Sequence, residues 1–133
     1  MDKGLVRFGY WNLAFLGNES KWAAEASECA ADQDAFWEYH DLLFDRQSGE
    51  NRGAFTKDNL KAFAVELELD PAAFNECLDS GKYTQLIESD VYGAQQLGAT
   101  STPAFIINGQ PMLGAQPFEV FQQLFDSLLA EQN

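Results

Sequence analysis

Apolar positions along the chain change period several times, and each change marks an element. Within residues 4–11, Val6, Phe8 and Tyr10 fall on one side and Arg7 on the other, which predicts a core strand. Asn18, Glu19 and Ser20 offer capping side chains, and Trp22, Ala23, Ala26, Cys29 and Ala30 then draw one apolar helical face. Asp34 is placed to cap a second helix, with Phe36, Trp37, Leu43 and Phe44 inward and Glu38, Asp41 and Asp45 outward. Residues 48–53 read as a loop. Thr56 caps a third helix with Leu60, Phe63, Ala64 and Leu67 along its face. Asp70-Pro71 opens a fourth, because proline costs nothing at the first helical position, and Gly81 stops it. A fifth amphipathic run goes from Tyr83 to Leu97 and ends at Gly98.

The pattern then shortens. Ala104–Ile107 is continuously apolar and suits a buried strand; Asn108-Gly109 is a strong hairpin signal, and Met112-Leu113 can return. Pro117 opens a last helix carrying Phe118, Phe121, Leu124, Phe125 and Leu128. The order is strand (4–11), helices (20–98), then loop, hairpin and helix (99–133). The 133 residues are expected to form one domain, and no internal repeat or linker interrupts them.

Composition narrows the function classes. A net charge of −13 argues against nucleic acid, whose phosphates need the lysines and arginines scarce here, and against anionic membrane surfaces. No run approaches the length of a membrane-spanning helix. Met1-Asp2-Lys3-Gly4 does not open a signal peptide, so the expectation is a cytoplasmic chain or a trimmed one, and a strand-like run within four residues favours trimming.

Three features could carry chemistry. Thr102-Pro103 precedes the apolar run, where a proline is awkward unless the chain turns sharply into the strand, as a cis bond permits. Such a turn leaves the backbone of the preceding residue able to pair with an extended peptide; an ordinary trans proline at a strand start is the plainer alternative. Cys29 and Cys77 lie on apolar helix faces, either as two buried thiols or as a structural disulfide. Neither begins a helix beside the proline loop, so they are not expected to be catalytic. His40, the one histidine, has no partners at metal-ligand spacing; neither metal nor cofactor is expected. The three tryptophans, Trp11, Trp22 and Trp37, are read as core.

Residues 97–109, Leu-Gly-Ala-Thr-Ser-Thr-Pro-Ala-Phe-Ile-Ile-Asn-Gly, resemble the cis-proline loop and hairpin of DsbA-like thioredoxin domains. Ala23–Ala30, Phe36–Phe44, Leu69–Pro71 and Phe74–Tyr83 resemble, in order, that family's helical insertion. The resemblance implies an α/β thioredoxin-like fold of DsbA type and thiol–disulfide exchange on protein or peptide thiols, with Thr102 and Pro103 docking the substrate strand. It also implies an extracytoplasmic setting, periplasmic or cell-envelope, which favours a Cys29–Cys77 bond.

The departure is as informative. Catalysis in that family uses Cys-x-x-Cys at a helix start, where the helix dipole stabilises a thiolate. This chain has no such pair. By the family's order, the first strand and the redox helix would precede Met1, making this a partial domain that is inactive in dithiol exchange. The missing strand would lie between residues 5–10 and 104–107, exposing two strand edges. The two strands could close up, two chains could cover each other's gap, or the natural protein is longer; a longer protein whose fragment self-associates is the expectation. Two other readings stay open: a non-redox peptide-binding module, and a glutathione-dependent transferase or isomerase of the same fold.

Overall fold

The computed structural model describes residues 1–132; Asn133, the last residue of the expected 99–133 segment, lies outside the described residues. Helices α1 (Asn18–Ala31), α2 (Phe36–Arg46), α3 (Lys57–Glu66), α4 (Pro71–Ser80) and α5 (Thr84–Gln96) come first. Strands β1 (Ala104–Ile107) and β2 (Gln110–Leu113) and helix α6 (Phe118–Glu131) follow. The arrangement is mixed α/β and mostly helical. It divides into two compact units, Asn12–Tyr92 and a second made of Met1–Trp11 with Gly93 onward.

The helical unit has a closed core. Ala26, Cys29 and Ala30 of α1 meet Tyr39 of α2, Leu60 and Ala64 of α3, and Phe74, Cys77 and Leu78 of α4, all buried. The alanine face of α1 lets its neighbours approach closely. Tyr39 and Phe74 stack with ring centroids 5.5 Å apart, and the Tyr39 hydroxyl donates to the Leu60 carbonyl at 2.8 Å. That bond satisfies the one polar atom this ring takes into the core. Cys29 and Cys77 form a disulfide, with Cα atoms 5.8 Å apart, linking α1 to α4.

Local signals set most helix ends. The Thr56 hydroxyl accepts from the Asn59 N–H, and the Asp70 carboxylate accepts from Ala73 with Pro71 at the first position. Gly81 closes α4 in the left-handed region (φ 67°), where a side chain would be strained. In the second unit, β1 and β2 pair antiparallel with Ile107 opposite Gln110. Asn108 (φ 47°) and Gly109 (φ 82°) are both left-handed, as a two-residue hairpin loop requires. Phe121 of α6 packs edge-on against Phe105 of β1, centroids 4.9 Å apart. Trp11 lies on α5 at Gly93, where an added Cβ would come within 2.9 Å of the indole.

Several expectations are corrected. Residues 4–11 do not form a strand: alternation gives a strand its faces, but only a hydrogen-bonded neighbour makes it one, and the described sheet contains β1 and β2 alone. Helix α1 is not capped by Asn18, Glu19 or Ser20. Its N-cap is Gly17, and Asn51 from the 47–56 loop supplies the bonds, accepting from the Glu19 N–H (3.4 Å) and donating to the Leu16 carbonyl (2.5 Å). The Glu19 carboxylate in turn accepts from the N–H groups of Gly53 and Phe55. Asp34 is left-handed (φ 58°), and Ala35 takes the N-cap of α2.

On α2 the apolar residues cover more than half the circumference, so only one stripe reaches the core. Tyr39, which the apolar spacing does not place inward, takes it, while Trp37 and Phe44 are exposed. Trp11 is exposed too, and Trp22 packs half-buried against the core. Strand β1 is half-buried, not buried, and Phe118 at the start of α6 is 73% exposed.

Candidate functional site: the Thr102-Pro103 loop

Helix α5 stops in two steps: the Ala99 N–H donates back to the Ala94 carbonyl (3.0 Å), and Gly98 turns left-handed (φ 86°). Ala99 is buried, so the following residues 100–103 leave from a fixed point and lie exposed. The Thr102-Pro103 peptide bond is cis. Pro103 has no N–H, but its carbonyl accepts from Gly114 (2.8 Å), which extends the hairpin by one pair beyond β1 and β2. Among the described residues, the N–H and C=O of Thr102 have no hydrogen-bond partner. The loop therefore presents one exposed residue, with its backbone groups open, at the head of a strand.

No thiol belongs to this unit. Cys29 and Cys77, the only cysteines in the sequence, belong to the helical unit and are bonded to each other. His40 lies half-buried among Phe36, Trp37 and Phe44 on α2, its Nδ1 3.0 Å from the Asp41 carboxylate.

Two polar clusters of the helical unit escape a reading by spacing. Buried Asn12 donates its side-chain amide to Glu28 (2.9 Å) and Asp90 (3.2 Å), and its backbone N–H to Asp90 (3.3 Å). Asp32, just past α1, accepts from Lys82 Nζ (2.6 Å) and the Tyr83 hydroxyl (2.5 Å). Burial pushes the Asp32 carboxyl up, but the bonds from Lys82 and Tyr83 and the Lys82 charge together outweigh it and hold it below the usual range. The bond to Asp32 raises Lys82 and Tyr83 in turn. Partners some fifty positions apart leave no periodic signal; the only cue was that Asp32 and Lys82-Tyr83 each follow a helix end.

The thioredoxin family matches residues 1–127 of the chain. The chain belongs to that family. This thioredoxin-family chain is 27% identical over 132 residues to disulfide bond formation protein D of Bacillus subtilis, covering 97% of this chain and 60% of that protein. The probable disulfide bond formation protein D of Bacillus cereus is also 27% identical, over 133 residues and 61% of its length. Na(+)/H(+) antiporter NhaA 1 of Salinispora arenicola is 40% identical over 108 residues, which are 81% of this chain but 16% of the antiporter. The chain thus spans about a sixth of the antiporter and three fifths of the disulfide bond formation proteins. With the family match, these likenesses identify a DsbA-like thioredoxin-fold domain.

Proposed function

We propose that this chain is the substrate-docking part of a DsbA-like thiol–disulfide oxidoreductase acting on protein or peptide thiols. Thr102 and Pro103 hold the substrate strand. The observation that carries this reading is the open backbone of Thr102 at the head of β1, the arrangement that strand addition requires. Exchange needs a thiolate beside that loop, and both cysteines of the chain are bonded to each other in the helical unit. The 133 residues therefore bind without turning over dithiols. We read residues 1–133 as one partial domain, with 20–98 as its helical insertion and 99–133 as its docking loop, hairpin and closing helix.

A disulfide persists in oxidising compartments, which supports an extracytoplasmic site of action. No helix among the described residues is long and apolar enough to cross a membrane. Self-association belongs to the same reading. Among the described residues, every large fully buried side chain lies within Asn12–Tyr92, whereas the other unit buries only Ala94 and Ala99, leaving apolar surface for a second chain to cover.

Insulin reduction by the isolated chain tests the chemistry: no turnover is expected, and turnover would refute the reading. Amide shifts on titration with an extended cysteine-containing peptide test the docking. They should centre on Thr102–Ala104, and Thr102→Pro, which removes one N–H, should weaken binding roughly three- to tenfold. The absence of a free thiol also favours a second reading, a non-redox peptide-binding module. A peptide with serine in place of cysteine, bound equally tightly by the full-length natural protein, would select it.

A further inference from the structure

The two sulfurs of the Cys29–Cys77 bond are not equally open to solvent. Cys29 is 1% exposed within the closed core of the helical unit, whereas Cys77 is 9% exposed. A thiolate arriving from solvent therefore attacks Cys77 Sγ and expels Cys29. That step makes a bond between the incoming sulfur and Cys77 and breaks the bond to Cys29. The electron pair leaves on Cys29 Sγ, which takes up a proton. A second thiolate then attacks the incoming sulfur, forming a small disulfide and releasing Cys77 as a thiolate. In both steps negative charge builds at or beside Cys77 Sγ.

The neighbour of that sulfur is a carboxylate: Asp32 Oδ2 lies 3.9 Å from Cys77 Sγ. A disulfide sulfur carries no hydrogen, so the contact is not held by a hydrogen bond, and other donors fix the carboxylate instead. Lys82 Nζ donates to the same oxygen (2.6 Å) and the Tyr83 hydroxyl to Oδ1 (2.5 Å). Two helix ends bring these groups together. Asp32 follows Cys29 by three positions, and its N–H still donates to the Glu28 carbonyl (3.2 Å), which keeps it one turn beyond Cys29 on the same face. After α4, the left-handed turn at Gly81 folds the chain back, and the Lys82 N–H donates to the Cys77 carbonyl (3.3 Å). Lys82 and Tyr83 thereby come within reach of Asp32.

We propose that Asp32 keeps the Cys29–Cys77 bond out of thiol–disulfide exchange by holding a fixed negative charge beside Cys77 Sγ. The thiolate is the attacking species, and like charges brought this close oppose its approach and the charge that spreads over the sulfurs. Cys29 adds to the resistance as a poor leaving group, because an apolar core disfavours a thiolate. Lys82 offsets part of the Asp32 charge, so removing one or the other should move the reaction in opposite directions. A domain that works among thiols needs its structural bond inert, and Asp32 supplies that selectivity without taking part in any turnover. This role is independent of whether Thr102 docks a substrate strand.

The test is the rate of reduction of the folded 133-residue chain by two thiols of opposite charge, anionic mercaptoethanesulfonate and cationic cysteamine. Rates are expressed per thiolate and followed by alkylation and mass. Asp32→Asn should speed mercaptoethanesulfonate about tenfold and cysteamine about threefold or less, narrowing the preference for the cationic thiol. Lys82→Met, which keeps the apolar stem and leaves Asp32 uncompensated, should widen that preference about threefold. Glu66→Gln, in an exposed ion pair on α3, changes the net charge as Asp32→Asn does and should move the preference less than about twofold. Equal acceleration of both thiols by Asp32→Asn overturns the charge role, since loosened structure favours neither thiol. Unchanged rates overturn it as well, and so does a Glu66→Gln effect as large as that of Asp32→Asn. Should Asp32→Asn misfold, Lys82→Met decides: a widened preference supports the role of Asp32, and an unchanged or narrowed one overturns it.

Discussion

Removing the Cys29–Cys77 bond is the perturbation with the largest calculable effect on the helical unit. The bond spans 48 positions, and loop closure over that length restricts the unfolded chain by about 4 kcal/mol at 25 °C. Domains of this size are stabilised by roughly 5–15 kcal/mol in total, so the bond is a large share of the whole. Reduction is the cleanest way to break it, because both sulfurs stay within the buried core of the helical unit and no side-chain atoms are removed. With a urea m-value of about 2 kcal/mol/M, the midpoint should fall by about 2 M. Equilibrium unfolding followed by helical circular dichroism, with and without reductant, measures the shift, with thiol content confirmed by mass. A shift under about 0.5 M with the bond demonstrably reduced would refute the loop-closure account; two free thiols in the untreated protein would remove its premise.

Other outcomes follow from single contacts. Gly17→Ala should cost about 1–3 kcal/mol in thermal unfolding: at φ 107° the new Cβ is strained, and at 2.6 Å it displaces the Asn51 amide that tethers Leu16. Tyr39→Phe should cost about 1 kcal/mol in urea unfolding, since the Leu60 carbonyl loses one buried donor. The Asp32 cluster should shape stability against pH. Its lowered carboxyl contributes above the ordinary aspartate range and loses that contribution as pH falls through the folded value. Lys82 and Tyr83 are raised, so their contribution is full below about pH 10 and fades as pH climbs beyond it. Asp32→Asn should flatten both limbs of the urea midpoint against pH relative to wild type; parallel curves would show that the cluster is energetically idle.

What could be read from sequence was what is decided within a few residues. Thr56, Asp70-Pro71, Gly81 and Asn108-Gly109 each fix a helix end or a turn by their own geometry, and the structure uses each of them that way. Most of the failures are long-range; the local one is Asp34, which turns left-handed and leaves the N-cap of α2 to Ala35. The alternation at residues 5–10 is intact, but strand formation depends on a neighbour and not on the segment. The cap of α1 comes from Asn51, thirty-two residues beyond the Glu19 N–H it accepts from, so the nearer candidates Asn18, Glu19 and Ser20 were only the plausible ones. Tyr39 takes the buried stripe of α2 in place of more apolar neighbours, and a carbonyl on α3 stands where its hydroxyl can reach.

The candidate site shows the same division. Thr102-Pro103 was visible as a motif, but what makes it usable is the phase of the hairpin that follows. Asn108-Gly109 sets that phase, and it sends the two nearby prolines to opposite fates. Pro103 falls in a bonded pair and keeps its carbonyl in the ladder through Gly114, whereas Pro111 falls outward and closes the β2 edge. Thr102, Ala104 and Ile106 alternate with the bonded pairs and lie along the other side of β1 in one row.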